Sequence, residues 1–148
     1  MLPERVHFVG IGGIGMSALA KVLQEDGHRI SGSDLRLSPV AKRLAESGAI
    51  LYEGHAAANL GDAQLVVVTA ALPEGNPEVD AARTAGIPIV KRAALLGELM
   101  ATRRGIAVAG THGKTTTSAM IAHILLETGA DPTFLVGGEI RGLEANAR

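Results

Sequence analysis

The chain has no cysteine and no tryptophan, and only one tyrosine and two phenylalanines among its 148 residues. Without cysteine, disulfides, thiolate metal sites and cysteine nucleophiles are excluded. So few aromatics leave little on which bases could stack. A formal net charge of −1 supplies no basic stripe for a phosphate backbone, so a nucleic-acid surface is not expected. No stretch approaches the ~20 apolar residues of a membrane span. The weakly polar run from Phe8 to Ala20 ends in Ala18-Leu19-Ala20 and superficially resembles a signal-peptidase site. Glycines interrupt it, and Glu4 partly offsets Arg5 ahead of it, so a loop opening a helix explains it better. A soluble, cytoplasmic protein without a membrane partner is the expectation. With hydrophobic residues at 47% and so few aromatics, the core must be built from Ala, Val, Leu and Ile.

Short apolar runs alternate with helical patterns. Strands are expected at 6–9, 28–31, 50–52, 65–68 and 87–90, the fourth (Leu65-Val66-Val67-Val68) having the continuous apolar character of a strand buried on both faces. Helices are expected between them, one opened by Asn76-Pro77 as N-cap and first helical residue. This is βαβα alternation, and it predicts an α/β fold: a Rossmann-like, doubly wound parallel sheet. Polar residues Thr102-Arg103-Arg104-Gly105 suggest a boundary, dividing the chain into 1–103 and 104–148. The second piece reads as a strand at 106–109, a loop, a long helix apolar at Met120, Ile121, Ile124 and Leu125, and a strand at 133–136. Two strands cannot cover such a helix, so it is expected to be the start of a larger P-loop-type α/β domain with an exposed apolar patch and a tendency to self-associate. The alternative is that the last strands extend the first sheet.

Two glycine-rich loops carry the chemistry. Gly10, Gly12 and Gly15 match G-x-G-x-x-G after a strand, and Asp34 lies at the end of the second strand. Glycines permit a tight turn and close approach of a pyrophosphate, and the carboxylate can accept from ribose hydroxyls. NAD is the default ligand of that pattern, but a UDP-sugar offers the same pyrophosphate and ribose. Near the other end, Gly110-Thr111-His112-Gly113-Lys114-Thr115-Thr116 combines inward N–H groups, a helix N-terminus and a lysine, which suits a polyphosphate. The hydroxyl of Thr115, directly after the lysine, can hold magnesium. The spacing departs from the standard P-loop, which would place glycine at Val108. His55 and the segment Thr69-Ala70-Ala71 fall at strand ends where ligands bind in such folds, whereas His7, His28 and His123 show no metal-ligand spacing. Arg83, Arg92, Arg103 and Arg104 read as solvated charge.

Together the segments His7 to Ser17, Ser31-Gly32-Ser33-Asp34 and Gly110 to Thr117 resemble the Mur ligases of peptidoglycan synthesis, as do Asp131-Pro132-Thr133-Phe134, Gly137-Gly138 and Asn146-Ala147-Arg148. The Thr111-His112 form of the loop is similar to that of the alanine-adding and murein-peptide recycling branches. Gly10-Ile11-Gly12-Gly13-Ile14-Gly15 favours the alanine-adding one. The resemblance implies a ligase with UDP-N-acetylmuramate, L-alanine and ATP as substrates and Mg2+ as cofactor. It places Gly12, Gly13, Ile14, Gly15, Ser33, Asp34, His55 and Thr69 at the UDP-sugar. Gly110, Thr111, His112, Gly113, Lys114, Thr115 and Thr116 would lie at ATP, with Lys114 and Thr115 as the catalytic pair and Thr115 on magnesium. It also implies that the acidic magnesium ligand and a closing domain lie outside these residues, so the chain by itself binds nucleotide without completing catalysis. An NAD-dependent oxidoreductase would leave the lysine loop idle; a non-catalytic nucleotide-binding module is the other alternative.

Overall fold

The apolar run Val6 to Val9 becomes the middle strand of a five-stranded sheet in the computed structural model, which describes residues 2–70, 72–140 and 145–148. The strands are β1 (Arg5–Val9), β2 (Arg29–Asp34), β3 (Ile50–Glu53), β4 (Leu65–Val68) and β5 (Ile89–Lys91). They are all parallel, in the order β3-β2-β1-β4-β5. Phe8 stands opposite Gly32 on β2 and Val67 on β4. Because side chains alternate across a strand, Val6, Phe8, Leu65 and Val67 point to one face while Val9 and Val66 point to the other.

Helices cover both faces. On the first lie α1 (Ile14–Glu25), α2 (Pro39–Glu46) and α4 (Arg92–Ala101), which deliver Leu19, Leu23, Leu44, Leu95 and Leu99 to the core. On the second lie α3 (Pro77–Thr84) and the short 3-10 turn Ala57–Leu60, which bury Ala82 and Leu60 against Val9 and Val66. The helix starts follow their sequence signals. Ser38 Oγ accepts from Ala41 N–H at 3.2 Å ahead of Pro39, and Asn76 Oδ1 accepts from the N–H groups of Glu78 and Val79 ahead of Pro77. Strand order reverses between β1 and β4, so the carboxyl ends of these two strands open the crevice where such sheets bind ligands.

The segment beyond Ala101 departs from expectation at one point. Residues 106–109 form no strand: Ile106 is 65% exposed, and none of the described residues pairs with this stretch. An isolated apolar run cannot satisfy its backbone groups by a ladder, so it does not adopt one. A long helix follows, α5 (Lys114–Glu127). Then β6 (Leu135–Ile140) pairs antiparallel with β7 (Ala145–Ala147) in a separate small sheet, not as an extension of the first. This pair docks on α1, where Leu135 and Ala147 pack against Ala18 and Val22, and the Asn146 amide donates to Ile14 O at 3.1 Å. Phe134 and Val136 cover only one side of α5, at Ala122 and Leu126, and leave Met120 and Ile124 about 60% exposed. No described helix is long and apolar enough to cross a membrane.

Candidate nucleotide-binding loops

The first glycine loop leaves β1 at Gly10, which adopts φ +86° and whose N–H donates to Ser33 O at 2.8 Å. At Gly12 it is hemmed in by a carboxylate and a backbone carbonyl. The N–H of Gly12 donates to Asp34 Oδ2 at 2.8 Å, and a β-carbon at this position would come within 2.8 Å of that oxygen and 2.9 Å of Arg36 O. Asp34 Oδ1 accepts in turn from Arg36 N–H. The carboxylate at the end of β2 therefore braces the loop, and the N–H of Gly12 is already spent. Gly13, the N-cap of α1, offers no side chain to the helix start, so Ile14 and Gly15 carry the forward-facing N–H groups of the first turn. Thr69 lies beside Gly10, its methyl 3.5 Å from where a β-carbon there would stand. Ala71 lies outside the described residues.

Sequence reasoning took Arg92 as solvated charge, and it is exposed, but its place in the fold could not be read from the chain. Arg92, the first residue of α4, lays its guanidinium over Gly15, so closely that a β-carbon there would meet Nη1 at 2.5 Å. The fifth strand carries Arg92 from the far side of the sheet to the start of α1, a juxtaposition that spacing along the chain does not reveal. Its signal was present only in topology: residues following parallel strands gather at one edge.

Beneath this edge lies a buried polar network. His7, Ser31 and Ser33 point to the α3 face of the sheet, and Glu78, in the first turn of α3, reaches into them; Glu78, His7 and Ser33 are fully buried. The Ser33 hydroxyl donates to Glu78 Oε2 at 2.5 Å, the Asn59 amide donates to Oε1 at 2.6 Å, and His55 Nδ1 lies 3.2 Å from Oε2 and 3.0 Å from Ser33 Oγ. His7 Nδ1 meets Ser31 Oγ at 2.8 Å, while its Nε2 stands 3.8 Å from Glu78 Oε2. Burial pushes the Glu78 carboxyl up; donors from His7, Ser33 and Asn59 pull it down more strongly, from 4.5 to about 2. The His7 approach is too long for a formed hydrogen bond, so Ser33 and Asn59 are the firmer donors. Sequence reading named His55 and Ser33 as candidate ligand contacts and did not name Glu78, which lies in the first turn of a helix opened by Asn76-Pro77; the structure joins the three in one network, with Ser33 buried.

The second loop ends at Gly113, whose left-handed conformation (φ +78°) turns the chain into α5. Lys114 folds back, its Nζ donating to Gly110 O at 2.6 Å and Thr111 O at 3.1 Å. The ammonium thus sits over the loop's own carbonyls. Thr115 Oγ1 faces β6, 3.5 Å from where a β-carbon on Gly137 would stand. A lysine, a long helix's N-terminus and a hydroxyl fit a magnesium–polyphosphate, with Thr115 the residue that would hold the metal ion. The described residues hold no cluster of three acidic or histidine side chains placed for a metal ion. His112 and Thr116 are exposed, and no hydrogen bond between described residues joins the two loops.

Residues 5–104 match the model of the Mur ligase family, catalytic domain. The chain is 55% identical over 145 residues to the UDP-N-acetylmuramate–L-alanine ligase of Methylobacillus flagellatus, covering 98% of this chain and 30% of that protein. It is 53% identical to the enzyme of the same name from Methylococcus capsulatus, again over 98% of this chain and 31% of that protein. The crystal structure of UDP-N-acetylmuramate–alanine ligase from Thermotoga maritima matches with a TM-score of 0.91 at 36% identity, over 97% of this chain and 34% of that one. The UDP-N-acetylmuramate:L-alanyl-γ-D-glutamyl-meso-diaminopimelate ligase of Neisseria meningitides matches with a TM-score of 0.89 at 34% identity, over 99% of this chain and 47% of that one. The chain thus spans about a third of the length of the curated relatives it matches. On a family match covering more than half its residues, the chain belongs to the Mur ligase family.

Proposed function

We propose that this chain is the nucleotide-binding front of an ATP-dependent ligase that joins L-alanine to UDP-N-acetylmuramate in peptidoglycan synthesis. The observation that carries the reading is the 55% identity, across nearly the whole chain, to a relative bearing that name. Residues 1–103 form the UDP-sugar domain and 104–148 the first piece of the ATP-binding domain. Ile14 and Gly15 N–H groups with Arg92 face the diphosphate, Asp34 faces the ribose, and His55 and Thr69 line the crevice; Ser33, expected there from the sequence, is fully buried and lies beneath it with its hydroxyl on Glu78. Gly110 to Thr116 wrap the triphosphate, Lys114 neutralises its β/γ end, and Thr115 ligates magnesium.

The lactyl carboxylate oxygen attacks the γ-phosphorus and ADP leaves, giving an acyl phosphate; the amine of L-alanine then attacks that carbonyl and phosphate leaves. Bound magnesium supplies charge neutralisation on the transferring group. This chain's own contribution is positioning, through Lys114, the helix start and the glycine loops. By itself it binds without turnover, in the cytoplasm, and its exposed Ile106, Met120 and Ile124 promote self-association.

Calorimetry with UDP-N-acetylmuramate, NAD and ATP–Mg2+ in turn tests the reading. Binding of the uridine nucleotide and of ATP, without NAD, is the expected result. NAD binding with silence toward the uridine nucleotide would make the chain an oxidoreductase domain. Steady phosphate release with all substrates present would overturn the claim of inactivity.

A further inference from the structure

The buried network under the sheet edge dictates the protonation of His55. Ser33 Oγ and His55 Nδ1 are 3.0 Å apart, but the Ser33 proton is already committed to Glu78 Oε2 at 2.5 Å. A hydroxyl has one proton to give, so toward His55 Ser33 can only accept. The other neighbour of Nδ1 is Glu78 Oε2 at 3.2 Å, an ionised carboxylate with no proton at all. Both partners being acceptors, His55 Nδ1 must carry the hydrogen. The opposite nitrogen has no hydrogen bond among the described residues. It is also absent from the buried unpartnered atoms, so it reaches solvent, consistent with the 18% exposure of the side chain. His55 follows β3 at the carboxyl edge of the sheet, and β3 pairs with β2, whose end carries Asp34.

We infer that Glu78 and Ser33 are positioning residues that lock His55 as its Nδ1–H tautomer, so that Nε2 accepts a hydrogen bond from an O–H or N–H donor of the bound nucleotide. This deepens the reading of the first loop as a uridine-nucleotide site and rests on it. A neutral imidazole in that tautomer offers a lone pair to the ligand. It selects a hydroxyl or imide donor over a phosphate oxygen, leaving the diphosphate to α1 and Arg92. Three further groups keep the arrangement rigid: Asn59 and the Ala56 N–H on Glu78 Oε1, and the Asn76 cap that fixes the helix bearing Glu78.

Nitrogen–proton correlation spectra of the imidazole rings in the intact chain, at about pH 8.5 where histidine is neutral, report the tautomer directly. His55 is expected as Nδ1–H, the form free histidine disfavours, and Glu78→Gln is expected to release it toward Nε2–H, since the amide can donate and frees the Ser33 proton. Finding wild-type His55 as Nε2–H overturns the inference even if the variant fails to fold. An unchanged tautomer in a folded E78Q chain also overturns it. Titration with UDP supplies the second arm. His55→Asn keeps a donor at the Nδ1 position but nothing at Nε2, and should weaken UDP about tenfold or more; His55→Gln reaches the Nε2 position and should stay within about threefold of wild type. UDP binding by H55N equal to wild type overturns the ligand contact. A locked tautomer in a wild-type chain that ignores UDP would leave the positioning standing and sink the proposed function.

Discussion

Asp34 and Gly12 form the brace of the first loop: the carboxylate accepts the glycine N–H at 2.8 Å across 22 residues of sequence. The two cannot change independently, because a β-carbon on residue 12 would collide with the same oxygen and with a backbone carbonyl that cannot swing aside. Asp34→Asn keeps an acceptor and should leave thermal stability within about 0.5 kcal/mol, whereas Asp34→Ala strands the N–H and should cost about 1–2 kcal/mol. Gly12→Ala should cost at least as much, through overpacking against Arg36 O, at about 1–3 kcal/mol. Urea unfolding of the three variants measures this; a G12A chain as stable as wild type would mean that the loop is not held this way.

Lys114 makes its two bonds to loop carbonyls in an exposed position, so they contribute little to the fold. Lys114→Ala should therefore leave the unfolding midpoint within about 0.5 kcal/mol of wild type while weakening ATP–Mg2+ at least about tenfold. UDP binding should not move. Paired titrations of the variant with the two nucleotides check it, and equal loss of both would show that the lysine acts through global structure.

Where residues close in sequence determine the outcome, sequence alone read the fold well. Strands β1, β3, β4 and β5 are built on local apolar runs, and the Asn76-Pro77 start of α3 is a local cap, so these were legible; β2 carries only Ile30 as a large apolar residue and runs on to Asp34, past the expected 28–31. The strand expected at 106–109 was not formed, because a strand exists only with a neighbour and the apolar pattern of Ile106 to Ala109 says nothing about whether one is present. In the candidate site, Asp34 announced itself by its place at the end of β2. Arg92 and Glu78 did not: each is brought in by a parallel crossover from a distant strand or helix, and each lies in a segment whose local composition reads as ordinary helix start.

Glu78 makes stability depend on acid. Its folded pKa, about 2, lies below the unfolded 4.5, so the unfolded chain binds the proton more readily. The resulting stabilisation is complete above the unfolded value, where both states are ionised, and is lost as pH falls from 4.5 toward 2; the full span is about 3 kcal/mol. Urea midpoints taken between neutral pH and pH 2 should fall steeply below 4.5 in wild type and more shallowly in E78Q, which has no proton to take up. Parallel curves for the two chains would place the acid sensitivity elsewhere.

If the first loop holds a uridine nucleotide as proposed, Arg92 should act on its diphosphate and not on the rest of it. Its guanidinium lies over Gly15 at the start of α1, and no hydrogen bond or ion pair to another described residue holds it there. Removing it should therefore spare the fold and be felt by a ligand's phosphates alone. A charge-assisted hydrogen bond contributes about 1.5–3 kcal/mol, so Arg92→Ala should weaken UDP about tenfold to a hundredfold and leave the weaker binding of uridine unchanged. Arg92→Lys should recover only part, since an ammonium lacks the planar fork that grips two phosphate oxygens at once. Gly15→Ala provides the converse test: its methyl displaces the guanidinium, the far end of a flexible side chain, at little cost in stability, and should reproduce the loss seen on deleting the arginine. Calorimetry with UDP and uridine on all three variants measures the difference; loss of uridine binding in parallel with UDP would assign Arg92 to the shape of the crevice and not to its charge.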